Sequence, residues 1–268
     1  MKKIFCILSL CLLFSVACET ETGVETPTVS DSSITCTNTT IDGHDAVIIQ
    51  PVDARTKAPV VIILTDDLEL ATRNTQNPEV NVNFKVAEHC LIGGYKICVI
   101  KAQINDNLSF LNTAKGLFAG ASKFYLLSYR NGLAYTAAMQ MPETFNAYGC
   151  VSGAIDVATY KTNSFTKPVS FVHVHATENP EFQWLGVENK SVSVPLSIGA
   201  IVAINECTHY TTSEFYPREG QGRVSCTNYL GGKDGYDVKL YSVESSNSGW
   251  CDAEFEVYNQ IWNFFKTH

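Results

Sequence analysis

Arg130 stands at the tip of a sharp turn in YLLSYRNGLAYTAAM (125–139), between an apolar strand and an alanine-rich helix. A side chain at such a tip projects clear of its own backbone, as a reacting or ligand-holding group must. A guanidinium there stays protonated and cannot attack an electrophilic carbon, so its chemistry is the pairing of anions. Carboxylates that could meet it stand at Asp66 and Asp67, which end the apolar run APVVIILTDD, and at Glu178 in FVHVHATENP. Two uses follow: an ion pair that plugs the pocket under the turn, or a charge held for an anionic ligand such as a uronic acid carboxylate. His173 and His175 alternate along one strand and share a face. That spacing suits a metal pair or two packed core imidazoles; no metal and no cofactor is expected. Trp250, at the end of SSNSGW, is a further binding candidate.

Composition narrows what such a site can serve. The 268 residues are 45% hydrophobic and 17% charged, enough apolar mass for one sizeable core. A net charge of −8 argues against nucleic acid or an anionic membrane surface as partner, since both require a basic face. Lys2 and Lys3 precede an apolar run over 4–16, short for a membrane span and of the length of a cleaved signal. SVAC (15–18) suits either of two endings: cleavage after the small residues Ser15 and Ala17, or a lipobox that places a lipid on Cys18. In both cases 1–17 is a signal peptide and the threonine-rich 18–33 a flexible tether. The protein is then exported, secreted or held at the outer surface, and touches membrane only through a lipid on Cys18. Ten cysteines suit an oxidising compartment, and no CxxC spacing indicates a zinc or redox site. Cys207 and Cys226, which bracket a polar loop, are the expected disulfide.

The elements that position these groups are short apolar runs alternating with helical patterns. Strands are expected over 45–52, 58–67, 95–103, 122–129, 146–155, 167–180 and 237–245, because the runs are β-branched, short and bounded by turn residues. Helices are expected over 81–94, 107–121, 131–141, around 194–205 and over 253–268, where Phe255, Tyr258, Ile261, Trp262 and Phe265 share a face. The rest of 181–236 reads as irregular. Such alternation implies βαβ crossovers, and so a single α/β domain over 34–268, a mostly parallel central sheet with helices on both faces. Ligand sites in these sheets lie beyond the strands' carboxyl ends, at 65–70, 128–132, 175–182 and 245–251.

Those four loops resemble the secreted esterases of the polyhydroxybutyrate depolymerase and feruloyl esterase type, within the α/β-hydrolase fold, over roughly 55–268. FYLLSYRNGLAYTAAMQMPETFNAYGCVSG is similar to that family's nucleophile elbow and following strand, and DNLSFL (106–111) to the start of the preceding helix. VSFVHVHATENPEF is similar to the segment leading into the catalytic acid. CTHYTTSEF with CTNYLGGKDGYDVKLYSVESSNSGW follows the pattern of paired cysteines, a strand and the histidine loop. The resemblance implies a carboxylic ester hydrolase with a Ser–His–Asp triad on a G-x-S-x-G elbow. Here the elbow reads Ser128, Tyr129, Arg130, Asn131, Gly132, so Arg130 stands in the serine's place. Asn179 stands in the acid's place and Ser248 in the histidine's. The loop that supplies oxyanion donors reads Thr65, Asp66, Asp67, negative where negative charge would have to be stabilised. The implied protein keeps the hydrolase fold without its chemistry, with a vestigial cleft for a carbohydrate, polyester or protein ligand. An active ester hydrolase with a rearranged site, using Ser128 or Ser246, is the other reading.

Overall fold

In the computed structural model, the alternation of apolar residues along the strands decides which layer each side chain enters. Described are residues 33–68, 90, 93–217, 222–247, 249–250 and 256–268. Residues 1–32, with Cys18 and nearly all of the expected signal and tether, lie outside them, as do most of the expected helix 81–94, Ser248 and Cys251.

Ten strands form one sheet: β1 Ile34–Ile41, β2 His44–Pro51, β3 Val60–Thr65, β4 Lys96–Lys101, β5 Phe124–Tyr129, β6 Ala147–Val151, β7 Phe171–Ala176, β8 His209–Phe215, β9 Val224–Leu230 and β10 Val238–Val243. Their spatial order is β1-β2-β4-β3-β5-β6-β7-β10-β9-β8. The central run from β4 to β10 is parallel. A β1–β2 hairpin extends one side and a β8–β9 hairpin the other, both antiparallel. The helices used below are α1 Phe110–Gly116, α2 Leu133–Gln140, α3 Val157–Thr162, α4 Val194–Ile204 and α5 Val257–Phe265.

β3, VVIILT, is buried at every position, as a strand covered on both faces must be. Val60, Ile62 and Leu64 enter the layer of α1, α2 and α4; Val61 and Ile63 enter the layer of α5. Helix α5 packs by its aromatic face, with Phe265 stacked on Tyr125 at a centroid distance of 4.9 Å. Helix α4 starts where the Ser193 hydroxyl accepts from the Leu196 amide, with proline in its first turn. The single α/β domain with a mostly parallel sheet and helices on both faces agrees with the pattern of the chain. β1, α3, β8 and β9 are additions to it.

The expected disulfide is corrected. Cys207 and Cys226 both carry free thiols, as do Cys36, Cys90, Cys98 and Cys150. In the β8–β9 register Cys226 lies opposite Ser213, and Cys207 precedes His209 at the far end of β8. At ~3.4 Å per strand residue the two cysteines are separated by well over ~10 Å, beyond the ~7 Å Cα limit of a disulfide. They bracket β8 and the connection to β9, with Cys226 inside β9 near the turn and Cys207 beyond the other end of β8, so their spacing in sequence does not bring them together.

Candidate functional site

Thr65, Tyr129 and Val151 end β3, β5 and β6 side by side, so the loops after them open on one edge of the sheet. Arg130 follows Tyr129 with φ 56°, in the left-handed region that a branched or long side chain enters only when its surroundings hold it there. Three bonds hold it. The Arg130 amide donates to Val151 O at 3.0 Å, the Ser128 hydroxyl to Asn131 O at 3.1 Å, and Asn131 Nδ2 to Leu64 O at 3.3 Å. Asn131 Oδ1 also accepts from the Leu133 amide and so opens α2. Gly132 is required by close approach: a Cβ there would sit 2.0 Å from Ala154 O.

The guanidinium does not meet the carboxylates expected for it. Its Nη2 donates to both oxygens of Glu181, at 2.7 and 2.8 Å, rather than to Asp66, Asp67 or Glu178. Asn179 explains why. Its Oδ1 accepts from the amides of Glu181 and Phe182, both at 2.9 Å, folding the chain after Pro180 back so that Glu181 reaches the elbow. The Asn-Pro-Glu order was the signal in the sequence for this turn. Burial works against the charge on Arg130, but the bond to Glu181 and the nearby charges of Glu181 and Asp66 prevail and raise its pKa above the ordinary value. Asp66, Asp67 and Glu178 are exposed. The Thr65 hydroxyl, fully buried, accepts from the Asp67 amide at 3.2 Å, so one amide of the β3 loop is already engaged.

No protein-family model matches the chain, and no curated protein matches its sequence. Solved structures do match. An acetyl xylan esterase from Aspergillus awamori aligns with 88% of this chain and 100% of its own, at TM-score 0.54 and 10% identity. A protein described as a dienelactone hydrolase, from Klebsiella pneumoniae, aligns with 88% of this chain and 99% of its own, at TM-score 0.50 and 9% identity. The fold is that of the α/β-hydrolases. Oligopeptidase B from Leishmania major is similar over 87% of this chain, at TM-score 0.54 and 8% identity, and this chain spans 36% of that larger protein.

The turn at Arg130 joins β5 to α2 at this edge, and the other groups beside it can be weighed as nucleophile or base. Ser128 is fully buried two residues before the tip, its hydroxyl engaged by Asn131 O. Cys150 lies close by, its Sγ 3.4 Å from Asn131 O, and burial pushes its thiol up to about 12, which leaves it protonated and unreactive at neutral pH. His173 and His175 are buried with all four ring nitrogens in use. Tyr135 OH meets His173 Nδ1 at 2.8 Å, His173 Nε2 meets His175 Nδ1 at 3.0 Å, and His175 Nε2 meets Phe182 O at 2.6 Å. They are core imidazoles, with no nitrogen left for a metal or a serine. His44 bonds Lys101 O, His209 lies on β8 beside Thr208, and His268 ends the chain near Phe264 O. Trp250 is 2% exposed, its ring edge-on to Tyr129 and stacked on Tyr258, so it packs beneath the elbow. Ser152 ties the same loop down by donating to Gly249 O at 2.5 Å.

The Arg130–Glu181 pair closes the turn without stabilising the fold greatly. Its side chains retain 24% and 44% exposure, so water screens the attraction. Glu181→Gln is expected to lower the unfolding free energy by less than about 1 kcal/mol, read from the urea midpoint.

Proposed function

We propose that the protein is an exported, non-catalytic relative of the secreted esterases of the polyhydroxybutyrate depolymerase and feruloyl esterase type. It holds a carbohydrate, polyester or protein ligand at the edge where those enzymes hold substrate. The observation that carries this reading is the Arg130–Glu181 pair: the place of an attacking serine is filled by a cation whose nitrogen already donates to a carboxylate. Two further features support it. Asn179, in the acid's place, spends its carbonyl oxygen on two backbone amides, and its Nδ2 has no acceptor among the described residues. The described histidines are engaged elsewhere. Loss of triad members lowers turnover by on the order of 10⁶, and what survives depends on an intact oxyanion hole. Export is supported by Lys2, Lys3 and the apolar run that follows.

Hydrolysis of p-nitrophenyl acetate and methyl ferulate by the purified protein is expected to equal the buffer rate. A fluorophosphonate probe for activated serines is expected to leave the chain unlabelled. Turnover above background that disappears in Ser128→Ala or in Ser246→Ala would instead establish a rearranged esterase.

A further inference from the structure

β8 is the last strand of the sheet, and every one of its seven residues, HYTTSEF, is exposed. Among the described residues β9 is the strand that pairs with β8, and the outer edge of such a strand presents backbone donors and acceptors to whatever can pair with them. Edges of this kind are ordinarily blunted by lysine, proline, a bulge or very short length. β8 has no lysine and no proline, and its pairing with β9 runs without a break from His209↔Leu230 to Phe215↔Val224. Three of the large apolar side chains exposed among the described residues also gather here: Tyr210 at 68%, Phe215 at 37% and Tyr216 at 70%.

We propose that β8 is a self-association edge, at which a second copy of this chain adds its own β8 antiparallel to give one continuous sheet through two molecules. The occupant follows from charge and symmetry. A two-fold axis at Thr212, the middle residue, pairs Thr212 with its own copy, Thr211 with Ser213, Tyr210 with Glu214 and His209 with Phe215. This register uses all seven residues and sets each phenol beside a carboxylate. The two Glu214 side chains then stand about four residues apart along the strands, roughly 14 Å, which removes like-charge opposition. Glu214 is also neutralised from behind, by Arg223 Nη1 at 3.1 Å, on a chain whose net charge of −8 otherwise opposes association. With Glu214 neutralised and each Tyr210 set beside a Glu214 of the other copy, the strand is complementary to itself.

Analytical ultracentrifugation of the full chain is expected to give twice the mass of one molecule. Thr212→Lys, which sets two ammonium groups face to face at the axis, is expected to give single molecules with an unchanged circular dichroism spectrum. Thr212→Cys is expected to form a disulfide-linked pair on mild oxidation that the unsubstituted chain does not form, since residues directly opposed across antiparallel strands have Cβ atoms ~5 Å apart. A single-molecule mass for the unsubstituted chain at high concentration overturns the proposal. So does a dimer that persists in Thr212→Lys and gives no link in Thr212→Cys, because its interface lies elsewhere. If Thr212→Lys fails to fold, the cysteine variant decides alone.

Discussion

Gly153→Ala is expected to destabilise the protein by about 3 kcal/mol, a large share of the ~5–15 kcal/mol that holds a typical domain folded. The added Cβ would lie 1.9 Å from Asn131 O and 2.5 Å from its carbonyl carbon, with Cys150 Sγ at 2.9 Å. These are contacts that only movement can relieve, and the first two are with backbone. The Asn131 carbonyl cannot retreat cheaply, because the Ser128 hydroxyl and the Cys150 thiol both bond to it. Nor can the turn after β6, which is fixed to the elbow by Arg130 N to Val151 O and crowded from the other side by Gly132 against Ala154 O. Gly153 does not have a positive φ, so the cost is one of space and not of backbone conformation. Gly116, the last residue of α1, is the internal control: a Cβ there meets nothing within 4 Å. Gly116→Ala is expected to be neutral or slightly stabilising. In thermal melts the Gly153 variant should fall by roughly 5–10 °C relative to it. Equal midpoints for the two variants would mean that the elbow is loose enough to part, and that its strained geometry is not held as described.

The same close approach explains which parts of the site were legible in the sequence. Gly132 is required by packing against Ala154 O whatever side chain stands at the tip of the turn, so it is kept two residues after Arg130. The turn, its strand and its helix could therefore be placed from YLLSYRNGL alone. β3 was equally legible, because a strand buried on both faces reads as a nearly continuous apolar run. β8 was not: a strand that buries neither face carries no apolar period, and HYTTSEF reads as loop. Glu181 was missed for a different reason. Its approach to Arg130 depends on a turn closed by Asn179, and a carboxylate three residues nearer in sequence, Glu178, points its segment elsewhere by pairing its amide with Ser245 O. The Cys207–Cys226 pairing failed because proximity in sequence says nothing about register in a hairpin. What the residues show by type and period is legible; what depends on a single side chain folding a loop is not.

Acid should weaken the protein through His175. Phe182 O can only accept, so His175 Nε2 carries the proton of that bond and its Nδ1 must accept from His173 Nε2. His173 Nδ1 then accepts from Tyr135 OH, and the chain runs in one direction from the phenol to the 179–182 loop. Each imidazole is thus neutral, and a further proton on either one would remove an acceptor that a buried donor already uses. Burial dominates the titration: it lowers His175 from 6.5 to about 4 against the opposing bond to Phe182 O, and holds His173 well below the ordinary range, with its neighbour His175 adding to the effect. The sign follows from proton counts. Below pH 6.5 the unfolded chain takes up a proton at His175 that the folded chain refuses until about pH 4, so stability is complete above 6.5 and falls as pH drops through that window. His175 alone accounts for about 3 kcal/mol over the interval, and His173 acts in the same direction. Urea midpoints taken between pH 7 and 4 should fall steeply in the natural chain. In His175→Gln, which starts less stable but has one titrating imidazole fewer, the curve should be flatter by about 1.4 kcal/mol per pH unit. Parallel curves for the two proteins would show that His175 is protonated without cost, and that the one-directional chain anchoring the Glu181 loop does not exist in solution.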